Sequence, residues 1–309
     1  MVLTFPPMRP SVRRGIIVRP MSPFGTYWSR SSVLSNAAYV VRDDLIFTAC
    51  RFDQDTHEGE YYSEYDEPTP EEVRLLASLA LPIGMDRGYM AQYPHYASIR
   101  LDDRRSFTDP DVIADVEAEL RHALASGITP SRTAASLPPS MYQHFHLPLP
   151  DSVRRDIYAA IDDHDHLLIR GLSTWLKSSM LNMHSVFSEE ANYPLWISLD
   201  ASFAIVLKIL RSKGIASPTS LDAQNFIHDA FGEKRSGLKY FEEFYEDRIM
   251  TMHPQNRFGT FAFAPIGRDD FYGLHNALRE IYRYLLLGEV IDPQAAYDTS
   301  EFWAQRPAV

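Results

Sequence analysis

The stretch GLKYFEEFYEDRIMTMHPQN (residues 237–256) decides how the second half of the chain is interpreted, because it places an arginine within an apolar helical face. At about 100° per residue, that face of the predicted helix consists of Phe241, Phe244, Tyr245 and Met252. Arg248 lies in the middle of the face, and His253 falls in the last turn because Pro254 ends the helix. An arginine in this position requires an anion, and a nearby imidazole can move protons.

A second predicted helix, beginning near Glu190, carries a charge of opposite sign. Its apolar face consists of Trp196, Phe203, Leu207 and Leu210. Asp200 falls among these residues, so the simplest inference is that Asp200 and Arg248 meet in a buried ion pair. Two alternatives stay open: Arg248 holds a substrate phosphate while His253 transfers protons, or Arg248 holds a small anionic ligand such as a nucleotide.

Length and composition predict a two-domain protein with packed cores. The chain has 309 residues, of which 45% are hydrophobic and 12% aromatic. Its one cysteine, Cys50, allows no disulfide framework within the chain and fits a reducing cytosol. Prolines and arginines interrupt the N-terminus, which excludes an ordinary signal peptide, and no stretch approaches the roughly 18 apolar residues of a membrane helix. We therefore expect a cytoplasmic protein without a membrane partner.

The charge distribution limits how nucleic acid could be bound. The net charge is −11, and neither half of the chain is basic. Sequence-independent binding through general phosphate neutralisation is therefore disfavoured, although a local cleft can still be positive.

The pattern of periodic segments predicts an α+β N-terminal domain followed by a mostly α-helical bundle. We place the small α+β domain at 1–130, a Pro/Ser-rich linker at 131–150, the bundle at 151–290 and a tail at 291–309. The first domain is predicted to contain strands at 15–21 and 96–101, a hairpin at 36–52, and helices from Thr69 to about Ala80 and at 109–127. Helices of the bundle are predicted at about 151–163, 165–184, 190–213, 218–231, 237–253 and 269–287.

Other chemical motifs are weak. The run Asp162–His166 and the pair His144 and His146 offer metal ligands, but the run falls at a helix junction, where Asp commonly caps, and neither has an HExxH or zinc-finger spacing. Cys50 lies within a predicted strand, which disfavours a nucleophile. No glycine-rich nucleotide loop occurs. We predict neither a metal nor a cofactor.

Three segments of the second half resemble the HEPN superfamily, and its Apea-like branch most closely. They are NYPLWISLDASFAIVL (192–207), FYEDRIMTMHPQNRFG (244–259) and DDFYGLHNALREIYRYLLLG (269–288), in this order. The resemblance covers roughly residues 150–290 and says nothing about the first 130. It implies a helical domain that forms a homodimer and brings two R-x4–6-H motifs into one cleft. Many such domains are metal-independent endoribonucleases of toxin, abortive-infection or other defence systems, some of them controlled by an inhibitory partner protein.

Carried onto this chain, the resemblance implies that Arg248 and His253 are catalytic and that Asp200 is their polar partner. Tyr245 and Asn256 are counted as supporting residues of the same site. The expected substrate is single-stranded RNA. The alternative is a non-catalytic dimerisation or ligand-binding module in which Arg248 is a structural ion-pair partner of Asp200. That alternative is favoured by Ile249, since active members often have a polar residue after the arginine.

Overall fold

The computed structural model describes residues 14–21, 26–28, 31–53, 68–82, 98–126, 143–145, 151–182, 185–231 and 268–290. Proximity of Cα atoms divides the chain into two compact units. The first unit comprises Met1–Pro23, Ser29–Leu75 and Pro94–Met141, and the second comprises Phe24–Trp28, Leu76–Tyr93 and Tyr142–Val309. This division departs from the predicted 1–130 domain by assigning two short segments to the second unit.

A five-stranded antiparallel sheet forms the first unit, in the order β3-β4-β5-β1-β6. Its strands are β1 (Arg14–Pro20), β3 (Ser32–Val33), β4 (Ala37–Val41), β5 (Ile46–Asp53) and β6 (Ile99–Leu101). The predicted hairpin at 36–52 is confirmed, because Val41 pairs with Ile46 and the Arg42 amide donates to the Leu45 carbonyl at 2.8 Å. Strands β1, β4, β5 and β6 therefore lie within or next to the predicted segments, whereas β3 was not predicted.

Side chains alternate between the two faces of this sheet, and both faces are buried. Ile16 and Val18 on β1 belong to a core shared with α2 (Pro110–Ala125), which contributes Val112, Val116 and Leu120. Asp109 caps α2, since its side chain accepts a hydrogen bond from the Asp111 amide at 3.1 Å. On the opposite face β1 carries Ile17 and the fully buried Arg19.

The helix α1 (Pro70–Ala80) begins with a reciprocal capping box. The Glu72 amide donates to Thr69 Oγ1 at 3.2 Å, and the Thr69 amide donates to Glu72 Oε2 at 2.8 Å. Thr69 is thus the predicted cap, with Pro70 in the first turn. All residues of α1 except the half-buried Arg74 are buried, so this helix is interior on nearly its whole circumference.

Helices dominate the second unit, and the α+β layout with a helical part agrees with the predicted fold class. They are α3 (Asp151–Ala160), α4 (His166–Asn182), α5 (Asn192–Ser212), α6 (Ser220–Phe231) and α7 (Arg268–Leu287), with a 3-10 turn at Ser185–Phe187. A parallel pair of short strands, β2 (Thr26–Trp28) and β7 (Gln143–Phe145), belongs to the same unit. The segment predicted as a linker therefore contains a strand. The predicted helix at 237–253 lies outside the described residues.

Side-chain contacts give the directions of three of these helices. Near the start of α4, Asp165 binds Lys208 Nζ at 2.9 Å, and further along α4 the carbonyl of Gly171 accepts from Ser198 Oγ at 2.8 Å. Helices α4 and α5 are therefore antiparallel. One turn further along α4, Trp175 Nε1 donates to the His275 carbonyl at 3.1 Å, whereas Gly171 lies against Tyr282. Helix α7 is thus also antiparallel to α4 and runs in the same direction as α5.

Helix α5 is unusually apolar for its length. Among the described residues it is the helix long and apolar enough to cross a membrane, with a mean hydropathy of 1.5 over its most apolar 18 residues. The expectation that no stretch approaches such a length is therefore wrong for this helix, by length and composition alone. Almost half of that 18-residue window, 44%, is buried inside the protein. Burial against α4 and α7 accounts for part of this composition.

Candidate functional site

Asp200 is the predicted site residue that the structure describes, and it lies on the exposed side of α5. The prediction that it falls within a core-facing apolar stripe is wrong. Trp196 and Leu210 are buried as expected, but Phe203 and Leu207 are only half-buried. The face of α5 that meets the core therefore lies to one side of the predicted stripe, and Asp200 borders solvent.

Buried serines explain this shift of the helical face. Ser198 and Ser202 are both fully buried in α5. Ser198 Oγ donates to the Gly171 carbonyl at 2.8 Å, and Ser202 Oγ donates to the Leu199 carbonyl at 2.7 Å. Because these hydroxyls are hydrogen-bonded, they lie in the core at little cost. A pattern that counts only apolar residues leaves these two serines out of the core. The face that it predicts is therefore turned around the helix toward Asp200.

Four other predicted site residues fall on segments that lie outside the described residues. They are Arg248, His253, Tyr245 and Asn256. Their assignment as catalytic or supporting residues stays a prediction.

A buried histidine on α7 was not predicted as a site residue. His275 is 1% exposed and lies between two aromatic rings: its ring stacks on Trp175 at 4.7 Å and on Phe271 at 5.7 Å between centroids. His275 Nε2 is 2.7 Å from Ser179 Oγ, which is the distance expected of a nucleophile and its base. Ser179 is 2% exposed, so no substrate reaches this pair. The Ser179–His275 hydrogen bond joins α4 to α7.

Burial lowers the pKa of His275 well below its usual value, and the neighbouring Arg279 guanidinium lowers it further. The neutral imidazole is therefore the folded form near neutral pH. Since the folded pKa is depressed, this group stabilises the unit fully above the unfolded pKa near 6.5, and the stabilisation is lost as pH falls toward the folded pKa. Between these values, each pH unit costs about 1.4 kcal/mol.

We expect His275→Gln to flatten the acid side of the stability profile. Glutamine has no charge to gain, whereas the wild-type imidazole takes up a proton on unfolding below about pH 6.5. The measurement is the free energy of unfolding from chemical denaturation at pH 7, 6 and 5, followed by tryptophan fluorescence. His228→Gln on the exposed side of α6 is the matched control and should leave the slope unchanged. Equal slopes in wild type and His275→Gln would contradict the assignment.

Charged residues are also buried on α7. Arg279 is 1% exposed, and Glu280 and Arg283 are each 4% exposed. Arg279 Nη2 donates to Asn276 Oδ1 at 2.9 Å. A polyanion in solution does not reach these guanidinium groups, so they are not candidates for binding a substrate phosphate.

The acidic run between α3 and α4 contains the group of possible metal ligands found in the described part of the chain, Asp162, Asp163 and His164. Two of the three are exposed. His164 Nδ1 lies 3.0 Å from Asp163 Oδ1, and the next residue, Asp165, accepts from the Leu168 amide at 3.2 Å as the cap of α4. These contacts have the capping role that Asp commonly plays at a helix junction. The absence of a functional metal stays a prediction.

Cys50 lies in the interior of β5, as predicted. It is fully buried, and burial together with the Glu72 carboxylate raises the pKa of its thiol well above the usual value. A thiol held neutral and out of solvent is a poor nucleophile. Cys50 therefore belongs to the core.

Comparisons with protein-family models, with curated proteins and with solved structures find no match to this chain.

Proposed function

We propose that this chain is a HEPN-like cytoplasmic protein whose helical unit is a metal-independent endoribonuclease of a defence or toxin type system. The proposal builds on the order of helices: the α4–α5 hairpin, then the segment that contains Arg248 and His253, then α7. It acts as a homodimer on single-stranded RNA, and an inhibitory partner protein is compatible with a toxin role.

The observation that carries the proposal is the exposed position of Asp200 on α5. A carboxylate that only neutralised a core arginine would be buried with it, because an ion pair in the interior must be desolvated on both sides. An accessible carboxylate can instead orient the arginine in a cleft that RNA enters. This favours the catalytic function over a core Asp200–Arg248 pair.

The proposed reaction needs no metal. The ribose 2′-OH attacks the adjacent phosphorus, the bond to the 5′ oxygen breaks, and the products are a 2′,3′-cyclic phosphate and a 5′-OH. His253 transfers the protons, while Arg248 holds the phosphate oxygens with its planar fork. Stabilising the extra negative charge of the phosphorane is the main contribution of the arginine.

The negative charge around Arg248 favours the alternative function, a non-catalytic dimerisation or ligand-binding module. Four of the six residues before Arg248 are acidic, namely Glu242, Glu243, Glu246 and Asp247, and the chain has a net charge of −11. Like charges close to a phosphate-binding arginine weaken its attraction for a polyanion. Thermal stabilisation by nucleotides without turnover is the result that this alternative predicts.

We expect the purified wild-type chain to cleave a mixed-sequence single-stranded RNA in EDTA. DNA of the same sequence should stay intact, because it lacks the attacking 2′-OH. Product ends should carry a 2′,3′-cyclic phosphate, which mass spectrometry of a short labelled oligonucleotide detects. Cleavage that requires a divalent ion, or that acts equally on DNA, would contradict the proposed chemistry.

A further inference from the structure

A buried hydroxyl lies on the same face of the sheet as Arg19. Thr48 on β5 is 0% exposed, and its Oγ1 makes no hydrogen bond in the part of the chain that the structure describes. Buried polar groups are nearly always hydrogen-bonded, either to the protein or to an ordered water, because an orphaned group has the full cost of its desolvation. The Thr48 hydroxyl therefore indicates a bound group that satisfies it.

A second unsatisfied atom lies next to the same arginine. Arg19 Nε is 2.9 Å from Glu72 Oε1 and 3.1 Å from Glu72 Oε2, and its N–H donates to Oε2. Glu72 Oε2 also accepts from the Thr69 amide at 2.8 Å. Among the described residues of the first unit, the buried side-chain atoms without a hydrogen-bond partner are Glu72 Oε1 and Thr48 Oγ1. Both atoms therefore belong to one polar cluster around Arg19.

The strand register brings these two atoms toward the same place. Thr48 is the cross-strand partner of Arg19 in the β1–β5 ladder, so the two side chains stand side by side on one face of the sheet. The guanidinium end of Arg19 in turn contacts Glu72. Thr48 Oγ1 and Glu72 Oε1 do not hydrogen-bond to each other. A small group between the two oxygens can reach both.

We propose that one internal water molecule binds between Thr48 Oγ1 and Glu72 Oε1, beside Arg19. The water donates one hydrogen bond to the Glu72 carboxylate oxygen, which can only accept. Its second contact is with the Thr48 hydroxyl, which can donate or accept. The water thereby joins β5 to the ion pair between β1 and α1. This site is independent of the proposed RNA cleavage.

The charges around the site favour water over an ion. Arg19 and Glu72 carry one positive and one negative charge, and their side chains are 1% and 0% exposed. A bound cation would lie next to the guanidinium, and a bound anion would lie next to the carboxylate. Either ion would leave the buried cluster with an unbalanced charge. A neutral molecule that both donates and accepts satisfies the two oxygens and keeps the charge balanced.

The test is the sign of the stability change when the Thr48 hydroxyl is removed. Thr48→Val replaces the hydroxyl by a methyl group of similar size. Thr48→Ser and Thr48→Ala form a second pair, which differs only by the hydroxyl and lacks the methyl group of threonine. Chemical denaturation of wild type and the three variants, followed by circular dichroism, measures the equilibrium constant for unfolding.

We expect Thr48→Val to raise the equilibrium constant for unfolding about fivefold or more, because the water loses one protein partner and the hydrogen bond to it. Thr48→Ala should exceed Thr48→Ser by about the same factor. A hydroxyl without a bound water predicts the opposite sign, since its removal relieves a desolvation cost. Thr48→Val as stable as wild type or more stable, or Thr48→Ala as stable as Thr48→Ser or more stable, would overturn the proposal.

A crystal structure of the wild-type chain locates the water directly. It should show one ordered water within about 3.2 Å of both Thr48 Oγ1 and Glu72 Oε1. A Thr48 hydroxyl bonded to a protein group, or no density between the two oxygens, would also overturn the proposal.

Discussion

Replacing Arg19 by methionine is expected to lower the free energy of unfolding of the first unit by about 3–5 kcal/mol. Arg19 Nε lies 2.9 Å from Oε1 and 3.1 Å from Oε2 of Glu72, and the two side chains are 1% and 0% exposed. Methionine fills most of the space of arginine but leaves the Glu72 carboxylate buried without its cation. That uncompensated charge, more than the lost contact, is the source of the cost.

The same pair also fixes α1 to the sheet. Glu72 Oε2 accepts from the Thr69 amide at 2.8 Å, so one carboxylate caps the helix and binds strand β1. Glu72→Gln retains an oxygen for the cap but removes the charge that balances Arg19. We expect it to be nearly as destabilising as Arg19→Met. The double variant Arg19→Met/Glu72→Gln should cost clearly less than the sum of the two single variants, because no unbalanced charge remains.

An exposed ion pair between β1 and β5 provides the control. Arg14 Nε lies 3.0 Å from Asp53 Oδ1, but the two side chains are 49% and 35% exposed. Arg14→Met should change stability by less than about 1 kcal/mol. Chemical denaturation of the four variants and wild type measures the difference. An Arg19→Met variant as stable as Arg14→Met, or single-variant costs that simply add, would contradict the assignment.

Substituting Gly171 with alanine is expected to destabilise the helical unit by about 1–3 kcal/mol, although alanine is the better helix former. A Cβ at this position would clash with the Tyr282 hydroxyl and lie 3.0 Å from Ala201 Cβ. Tyr282 cannot move aside easily, because it is fully buried and its hydroxyl donates to the Ser198 carbonyl at 2.8 Å. Gly171 thus lies at a close approach of α4 to both α5 and α7.

Gly273 on α7 is the matched control for this substitution. A Cβ there meets nothing within 4 Å, and the residue is exposed. Gly273→Ala should therefore stabilise the unit by about 0.5–1 kcal/mol through helix propensity alone. Tyr282→Phe in the Gly171→Ala background should recover part of the loss, since the clashing oxygen is gone. Thermal unfolding of the variants tests the pair, and stabilisation by Gly171→Ala would contradict the close approach.

The elements that the sequence predicts best are those with dense apolar runs and clear boundary residues. Helix α7 was expected at 269–287 and occupies Arg268–Leu287, and the hairpin around Arg42 has the predicted turn. Both carry regular apolar spacing and clear boundary residues, which depend only on neighbours in the chain.

Contacts between distant residues were the part that sequence could not predict. Arg19 and Glu72 are 53 positions apart, and His275 and Ser179 are 96 apart, so no local pattern joins them. Single-residue signals were present: Arg19 stands inside an apolar strand, Thr69 and Glu72 have capping-box spacing, and His275 follows Phe271 by one helical turn. Asp200 was predicted on the wrong face of α5, because the buried Ser198 and Ser202 do not contribute to an apolar pattern.

The measurement that tests the central claim most directly is the rate of RNA cleavage in EDTA by wild type, Arg248→Ala and His253→Ala at matched purity. The proposed function predicts that both substitutions lower the rate by about 100-fold or more, since each removes a group that acts in the transition state. Asp156→Lys, on the exposed side of α3, is the control for a change of charge alone and should cleave at the wild-type rate. Equal cleavage by wild type and both alanine variants would contradict the claim and place the activity elsewhere or in a contaminant.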